Sequence, residues 1–160
     1  RLLLEGNVDR WLPLSELYLV LAARADHVVR AIGPARAKGQ WVLCDRFLDS
    51  TRVYQGIAGG LGLDLVDRLQ MPALAGHWPD LTILLDLPVT AGLARRNPSR
   101  GDSRFDKKDV AFHERVRAGF LQLAAAEPER FYLLPAALPA AELAARIWAE
   151  VKRRFAIAAA

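Results

Sequence analysis

The chain has 160 residues, enough for one compact domain and too few for two domains with separate cores. With 52% hydrophobic and 25% charged residues, its composition is typical of a globular protein and not of a disordered one. No uncharged run approaches the roughly 18 residues that a spanning helix needs, so we expect no membrane span and no membrane partner. The single cysteine, Cys44, cannot close an intrachain disulfide, which favours a cytoplasmic location.

The charge pattern points to small ligands. Lys and Arg number 22 and Asp and Glu 18, which gives a net charge of +4. The basic residues are spread among acidic ones and form no block, so we expect small phosphorylated ligands and no nucleic acid.

The first predicted element is a long helix. It begins at Pro13 and carries an apolar series at helical spacing, including Leu17, Leu21 and Val28, to about residue 31. Gly33 and Pro34 should kink it before a last segment ends at residues 38–39. Residues 41–44 (WVLC) are then predicted to form a buried strand that ends at Asp45 and Arg46.

The later elements alternate between helix and strand. We predict helices at about residues 50–55, 63–69, 89–96, 110–126 and 139–155, strands at 81–87 and 131–134, and a mobile basic loop at 97–108. Alternating helices and all-apolar strands indicate an α/β fold with a parallel sheet covered on both faces. Three strands are fewer than the usual five or six, so the first βα unit or units should be missing from this chain.

The strongest local signal is residues 45–56 (DRFLDSTRVYQG). Ligands of open parallel sheets bind outside the carboxyl ends of strands, where a guanidinium can grip phosphate oxygens beside a carboxylate that holds a metal-bound water. The alternative is that Asp45 and Arg46 merely cap a helix and form a surface ion pair.

Four segments together resemble the bacterial thymidylate kinases. Residues 45–56 resemble their DR-x-x-x-S-T-x-A-Y-Q-G signature, with Val53 in place of the usual alanine. The other three matches agree with the family in order and spacing: 21–28 (LAARADHV), 79–86 (PDLTILLD) and the lid at 101–106 (GDSRFD). This resemblance covers almost the whole chain. It implies one nucleoside monophosphate kinase-like domain over residues 1–160, a three-layer P-loop NTPase-like fold, and phosphorylation of dTMP by ATP with Mg²⁺ in dTTP synthesis.

The resemblance also implies roles for individual residues. Arg24 would hydrogen-bond the thymine base and Arg46 would hold the monophosphate of the acceptor. Tyr54 would pack against the deoxyribose, where a 2′-hydroxyl would be crowded. The nucleoside pocket would be lined by Ser50, Thr51, Tyr54 and Gln55. We therefore expect Arg24 and Arg46 to face one shared cavity.

Phosphoryl transfer needs alignment and charge neutralisation and no nucleophilic side chain. Asp45 would lie beside the magnesium-bound phosphates and contact the metal through water. Arg104, on a lid at 97–108, would bind ATP phosphates, neutralise the transferring phosphoryl group and exclude water. The alternative for Arg104 is an exposed loop cation in a weak ion pair.

Two departures from the family pattern open alternatives. The phosphate-binding G-x-x-x-x-G-K-[ST] loop is not in the sequence, so we expect a longer native chain and no productive ATP binding by these 160 residues alone. Val20 stands where the family usually has a phenylalanine that stacks on thymine. A kinase for another nucleotide or small acceptor, or a non-catalytic nucleotide-binding remnant, therefore stays open. The resemblance further implies a homodimer built on the first long helix.

Overall fold

The computed structural model describes residues 2–95 and 103–157, so residues 97–102 of the predicted lid, including Arg100, lie outside it. Its seven α-helices in these ranges are α1 (Pro13–His27), α2 (Gly33–Ala37), α3 (Leu48–Thr51), α4 (Leu63–Leu74), α5 (Val89–Ala94), α6 (Val110–Ala126) and α7 (Ala140–Arg154). Two π-helical segments (Val28–Ile32 and Arg52–Ile57) follow α1 and α3, and two strands are β1 (Thr82–Asp86) and β2 (Phe131–Pro135).

The chain divides into two compact units, one of residues 1–78 and 97–120, the other of residues 79–96 and 121–160. The prediction of a single domain therefore stays a prediction. In the second unit, β1 and β2 pair in parallel, with Thr82 opposite Phe131 and Asp86 opposite Pro135. The parallel pairing of these two strands is as the sequence predicted.

The predicted strand at residues 41–44 is not formed. In the part of the chain that the structure describes, this segment is in no strand ladder, and Trp41 and Leu43 are 66% and 97% exposed. A strand exists only as part of a ladder, and no partner for this one lies within the described ranges. The two-stranded sheet therefore replaces the three-stranded one that was expected.

Helix α1 positions the site through one buried stripe. Leu17, Leu21 and Arg24 follow one another at intervals of four and three residues, so they lie on one face of α1, and all three are buried. Leu17 and Leu21 pack with Val66 and Ala73 of α4. Burial of each leucine contributes about 1.5–3 kcal/mol, which fixes the face on which Arg24 lies.

Near Gly33 and Pro34, where we predicted a kink, the helix changes type. The helix widens to π geometry over Val28–Ile32, and the Gly33 amide donates to the Val28 carbonyl five residues back. Pro34 has no amide hydrogen to continue the α-helical ladder, and α2 then runs only to Ala37. The predicted end of the helix at residues 63–69 was wrong. Helix α4 continues through Pro72 and ends at Leu74.

Candidate functional site

Arg24 is held in a buried polar contact beside the end of the 41–44 segment. Its Nη2 donates to Thr51 Oγ1 at 2.6 Å and to the Phe47 carbonyl at 3.2 Å, and its guanidinium lies 4.7 Å from the centre of the Phe47 ring. Burial lowers the pKa of Arg24, although the neighbouring Asp49 carboxylate acts in the opposite direction. Its Nε is buried and has no hydrogen-bond partner among the described residues, which leaves one donor free for a ligand.

Arg46 lies at the end of the same segment with an unusual backbone. Its φ angle of 67° falls in the left-handed region, which costs a residue with a side chain about 1–2 kcal/mol. Its guanidinium lies 5.2 Å from the centre of the Tyr54 ring, and the residue is exposed, as is Asp45. Residues held in this backbone region cluster at active sites and ligand sites.

Tyr54 and Gln55 lie on the π-helical segment Arg52–Ile57, a geometry frequent at functional sites. The tyrosine ring packs edge-on against Phe105, Phe112 and Phe120, with ring centres 5.5 to 6.4 Å apart. The turn after this segment packs closely against the segment's own backbone. A Cβ on Gly59 would lie 2.7 Å from the carbonyl oxygens of Tyr54 and Gln55. Glycine is therefore required at position 59.

A cavity of about 400 Å³ opens beside these residues, all within the first unit. Its polar lining includes Glu16, Tyr54, Gln55 and Arg104, and Lys107, Lys108 and Arg115 add positive charge. This volume is in the range of small-molecule sites. Neither Arg24 nor Arg46 is among the residues described as lining it, so the shared cavity for these two arginines stays a prediction.

Arg104 differs most from the sequence-based expectation. It is only 1% exposed, and its Nη2 forms a 2.8 Å ion pair with Glu16 Oε2, where we expected a residue on a mobile lid or, as the alternative, an exposed loop cation. Its guanidinium also donates to the carbonyls of Leu3, Asn7 and Val8. From this position it contacts protein groups, so its predicted role on the transferring phosphoryl group stays untested.

The structure brings several predicted site residues into contact and places one unpredicted residue, Glu16, in the lining of the cavity. Arg24 contacts Thr51, Arg46 lies over Tyr54, and Gln55 shares the cavity lining with Arg104. Ser50 is half-buried in α3. Glu16 was not among the site residues predicted from the sequence. A glutamate in the first turn of a helix normally indicates only a favourable interaction with the helix dipole, and nothing local distinguishes this one.

Comparisons with known proteins bear on the family of this chain. The family model described as thymidylate kinase matches residues 1–147. This chain belongs to the thymidylate kinase family. The thymidylate kinase of Desulfosudis oleivorans is 48% identical over 95% of this chain and 74% of its own length, and that of Synechococcus sp. is 46% identical over 99% and 75%.

A solved structure of the family supports the same fold. The crystal structure of thymidylate kinase from Ehrlichia chaffeensis matches with a TM-score of 0.63 and 31% sequence identity, over 79% of this chain and 60% of that one. The predicted family, the P-loop NTPase-like α/β class and the class of phosphotransferase are thereby confirmed. This chain spans roughly two thirds of its relatives, for example 65% of the Caulobacter vibrioides thymidylate kinase.

The described residues contain neither a membrane-spanning helix nor a cluster of metal ligands. No helix in residues 2–95 and 103–157 is long and apolar enough to cross a bilayer. Within the same part of the chain, no group of three or more His, Cys, Asp or Glu residues could hold a metal ion.

Proposed function

We propose that the full-length protein transfers the γ-phosphoryl group of ATP to dTMP and releases dTDP and ADP. The observation that carries this proposal is the family match over residues 1–147, which includes all four sequence segments of the resemblance. An oxygen of the dTMP phosphate attacks the γ-phosphorus while the bond to the bridging oxygen of ADP breaks. The protein must therefore align two anions and offset their charge.

Arg24 and Thr51 form the proposed base-reading end of the site. Thr51 fixes the orientation of the guanidinium, and the buried Nε without a partner supports a role in hydrogen bonding to a ligand. A buried donor left unpaired costs about 1–3 kcal/mol, which a carbonyl oxygen of thymine would recover.

Arg46 and Tyr54 form the proposed phosphate and sugar end. The exposed guanidinium of Arg46 is free to form two parallel hydrogen bonds with the monophosphate, and the Tyr54 ring beneath it supports packing against the deoxyribose. Ser50 and Gln55 complete the proposed acceptor pocket.

Asp45 fits an indirect role toward Mg²⁺. Magnesium is usually bound through one or two carboxylates together with substrate phosphates and water, so a single exposed carboxylate beside Arg46 suits it. The ion supplies charge neutralisation at the ATP phosphates when bound. Asp45 would orient one of its waters.

A homodimer and a cytoplasmic location complete the proposal. Leu14 and Tyr18 of α1 and Val29 beyond it are 40%, 54% and 69% exposed, and this apolar surface supports pairing with a second copy. Sedimentation of the full-length protein should show a dimer at micromolar concentration, and a monomer at every concentration would refute the pairing.

The decisive experiment compares acceptors. Phosphorylation of dTMP, dUMP, dCMP and dGMP by the full-length protein should show the highest kcat/KM for dTMP. Equal use of the four would contradict the proposal and favour the kinase for another acceptor that Val20 leaves open. Absence of all transfer, with nucleotide binding retained, would favour a non-catalytic remnant.

A further inference from the structure

Glu16 bridges two residues of the cavity. Its Oε2 accepts from Arg104 Nη2 and its Oε1 accepts from Gln55 Nε2, both at 2.8 Å. All three side chains are buried and line the same cavity. The carboxylate therefore connects the charge of Arg104 to the orientation of the Gln55 amide.

The Arg104 end of this connection is firmly held. Its Nε, Nη1 and Nη2 donate to the carbonyls of Asn7, Leu3 and Val8 at 2.9, 3.0 and 3.1 Å, and its own amide donates to the Leu4 carbonyl at 2.9 Å. Moving this guanidinium to a phosphate would break these bonds and leave Glu16 as an unpaired buried charge, which is strongly unfavourable. The geometry therefore favours a fixed position for Arg104.

The Gln55 end has a chemical consequence. A carboxylate can only accept hydrogen bonds, so the NH₂ group of the Gln55 amide must face Glu16 and its carbonyl oxygen must point away. Because Gln55 lines the cavity, this fixed oxygen is an acceptor suited to a hydrogen-bond donor of a bound nucleoside. If position 16 held a neutral amide, both orientations of Gln55 would be allowed.

We propose that Glu16 and Arg104 are positioning residues that fix the amide of Gln55 so that its carbonyl oxygen accepts a hydrogen bond from the acceptor nucleoside. This inference rests on the proposed function, since it takes the cavity beside Tyr54 and Gln55 as part of the dTMP site. It assigns Arg104 to acceptor binding through Glu16, in place of direct contact with the transferring phosphate.

The kinetic test uses the full-length protein with dTMP and ATP varied independently. Glu16→Gln should raise KM for dTMP about tenfold, the loss expected for one oriented hydrogen bond, with kcat and KM for ATP nearly unchanged. Arg104→Met should raise KM for dTMP as well, and Arg104→Lys should restore part of the loss because it keeps a positive charge beside Glu16. Glu114→Gln, at an exposed glutamate of α6, is the matched control.

Two results would overturn the inference. If Arg104 acted directly on phosphate, Arg104→Met would lower kcat and raise KM for ATP while Glu16→Gln changed neither constant for dTMP. If the ion pair were only structural, Glu16→Gln would lower Tm and the active fraction while KM for dTMP stayed at the wild-type value.

A second readout does not depend on activity. The side-chain NH₂ protons of Gln55, followed by NMR, should exchange slowly with solvent in the wild type and much faster in Glu16→Gln. Fast exchange in the wild type would refute the positioning itself. A protected amide in a wild type that fails to phosphorylate dTMP would instead refute the proposed function, and with it the role assigned to the Gln55 oxygen.

Discussion

Arg24 of the first long helix donates a 2.6 Å hydrogen bond to the hydroxyl of Thr51, 27 residues further along the chain. The contact joins two sequence motifs and fixes a buried guanidinium whose Nε is left available among the described residues. It is the most direct structural support for a base-reading site.

Replacement of Thr51 by valine tests this contact. The change keeps the shape and removes the acceptor of Arg24, so we expect a loss of about 1–3 kcal/mol in the free energy of unfolding and a higher KM for dTMP. Urea unfolding and steady-state kinetics measure the two effects. Thr90→Val, at an exposed threonine of α5, is the control and should change neither; unchanged values in Thr51→Val would contradict the role of the contact.

The left-handed backbone at Arg46 predicts different stabilities for two substitutions that both weaken binding. Glycine adopts a φ of 67° without the steric cost, so Arg46→Gly should be about 1 kcal/mol more stable than Arg46→Ala. Both variants should lose affinity for dTMP because neither carries the guanidinium. Urea unfolding compares their stabilities, and equal values for the two variants would show that the strain is absent.

Gly59→Ala should disturb the turn that holds Tyr54 and Gln55. The added Cβ would lie 2.7 Å from two backbone carbonyl oxygens, so the turn must shift, at a cost of about 1–3 kcal/mol, and KM for dTMP should rise. The control is Gly92→Ala in α5, where the nearest atom is 3.9 Å from the new Cβ. There the higher helix propensity of alanine should stabilise the protein by up to about 1 kcal/mol. A thermal melt of each variant decides between these outcomes.

Val20→Phe should tighten dTMP binding if Val20 borders the base. Stacking of an aromatic side chain on a base contributes about 1–3 kcal/mol, equivalent to a fall of roughly 5- to 150-fold in Kd. Isothermal titration of dTMP into the full-length variant measures it. Val110→Phe, at a half-exposed valine of α6, should leave Kd unchanged, and an unchanged Kd in Val20→Phe would place the base elsewhere.

Glu150 predicts a pH dependence of stability at the other end of the chain. Hydrogen bonds from Arg153 and Arg154 lower the pKa of this carboxyl to about 2. Because its pKa is lower in the folded state, its contribution is fully present above the unfolded value of about 4.3 and is lost as the pH falls toward 2. Tm measured from pH 6 to pH 2 should therefore fall less steeply in Glu150→Gln than in the wild type. Parallel curves would contradict this assignment.

Local pattern was sufficient for much of the fold. Continuous apolar runs predicted β1 and β2, helical spacing predicted α6 with the bounds that the structure has, and Gly33 and Pro34 marked the change of helix type. These features depend on residues a few positions apart. The four segments that resemble the thymidylate kinases are also local, and together they were specific enough to identify the family. The sequence by itself therefore determined the enzyme family to which this chain belongs.

Only the tertiary structure decided the state of residues 41–44 and of Arg104. An apolar run forms a strand only when a neighbour completes its hydrogen bonds, and no local pattern reports whether that neighbour is there. Arg104 and Glu16 lie 88 residues apart, so their ion pair exists only because the fold brings them together. The burial of a charge depends on such distant partners, and for this reason an arginine expected on a mobile lid lies in the interior.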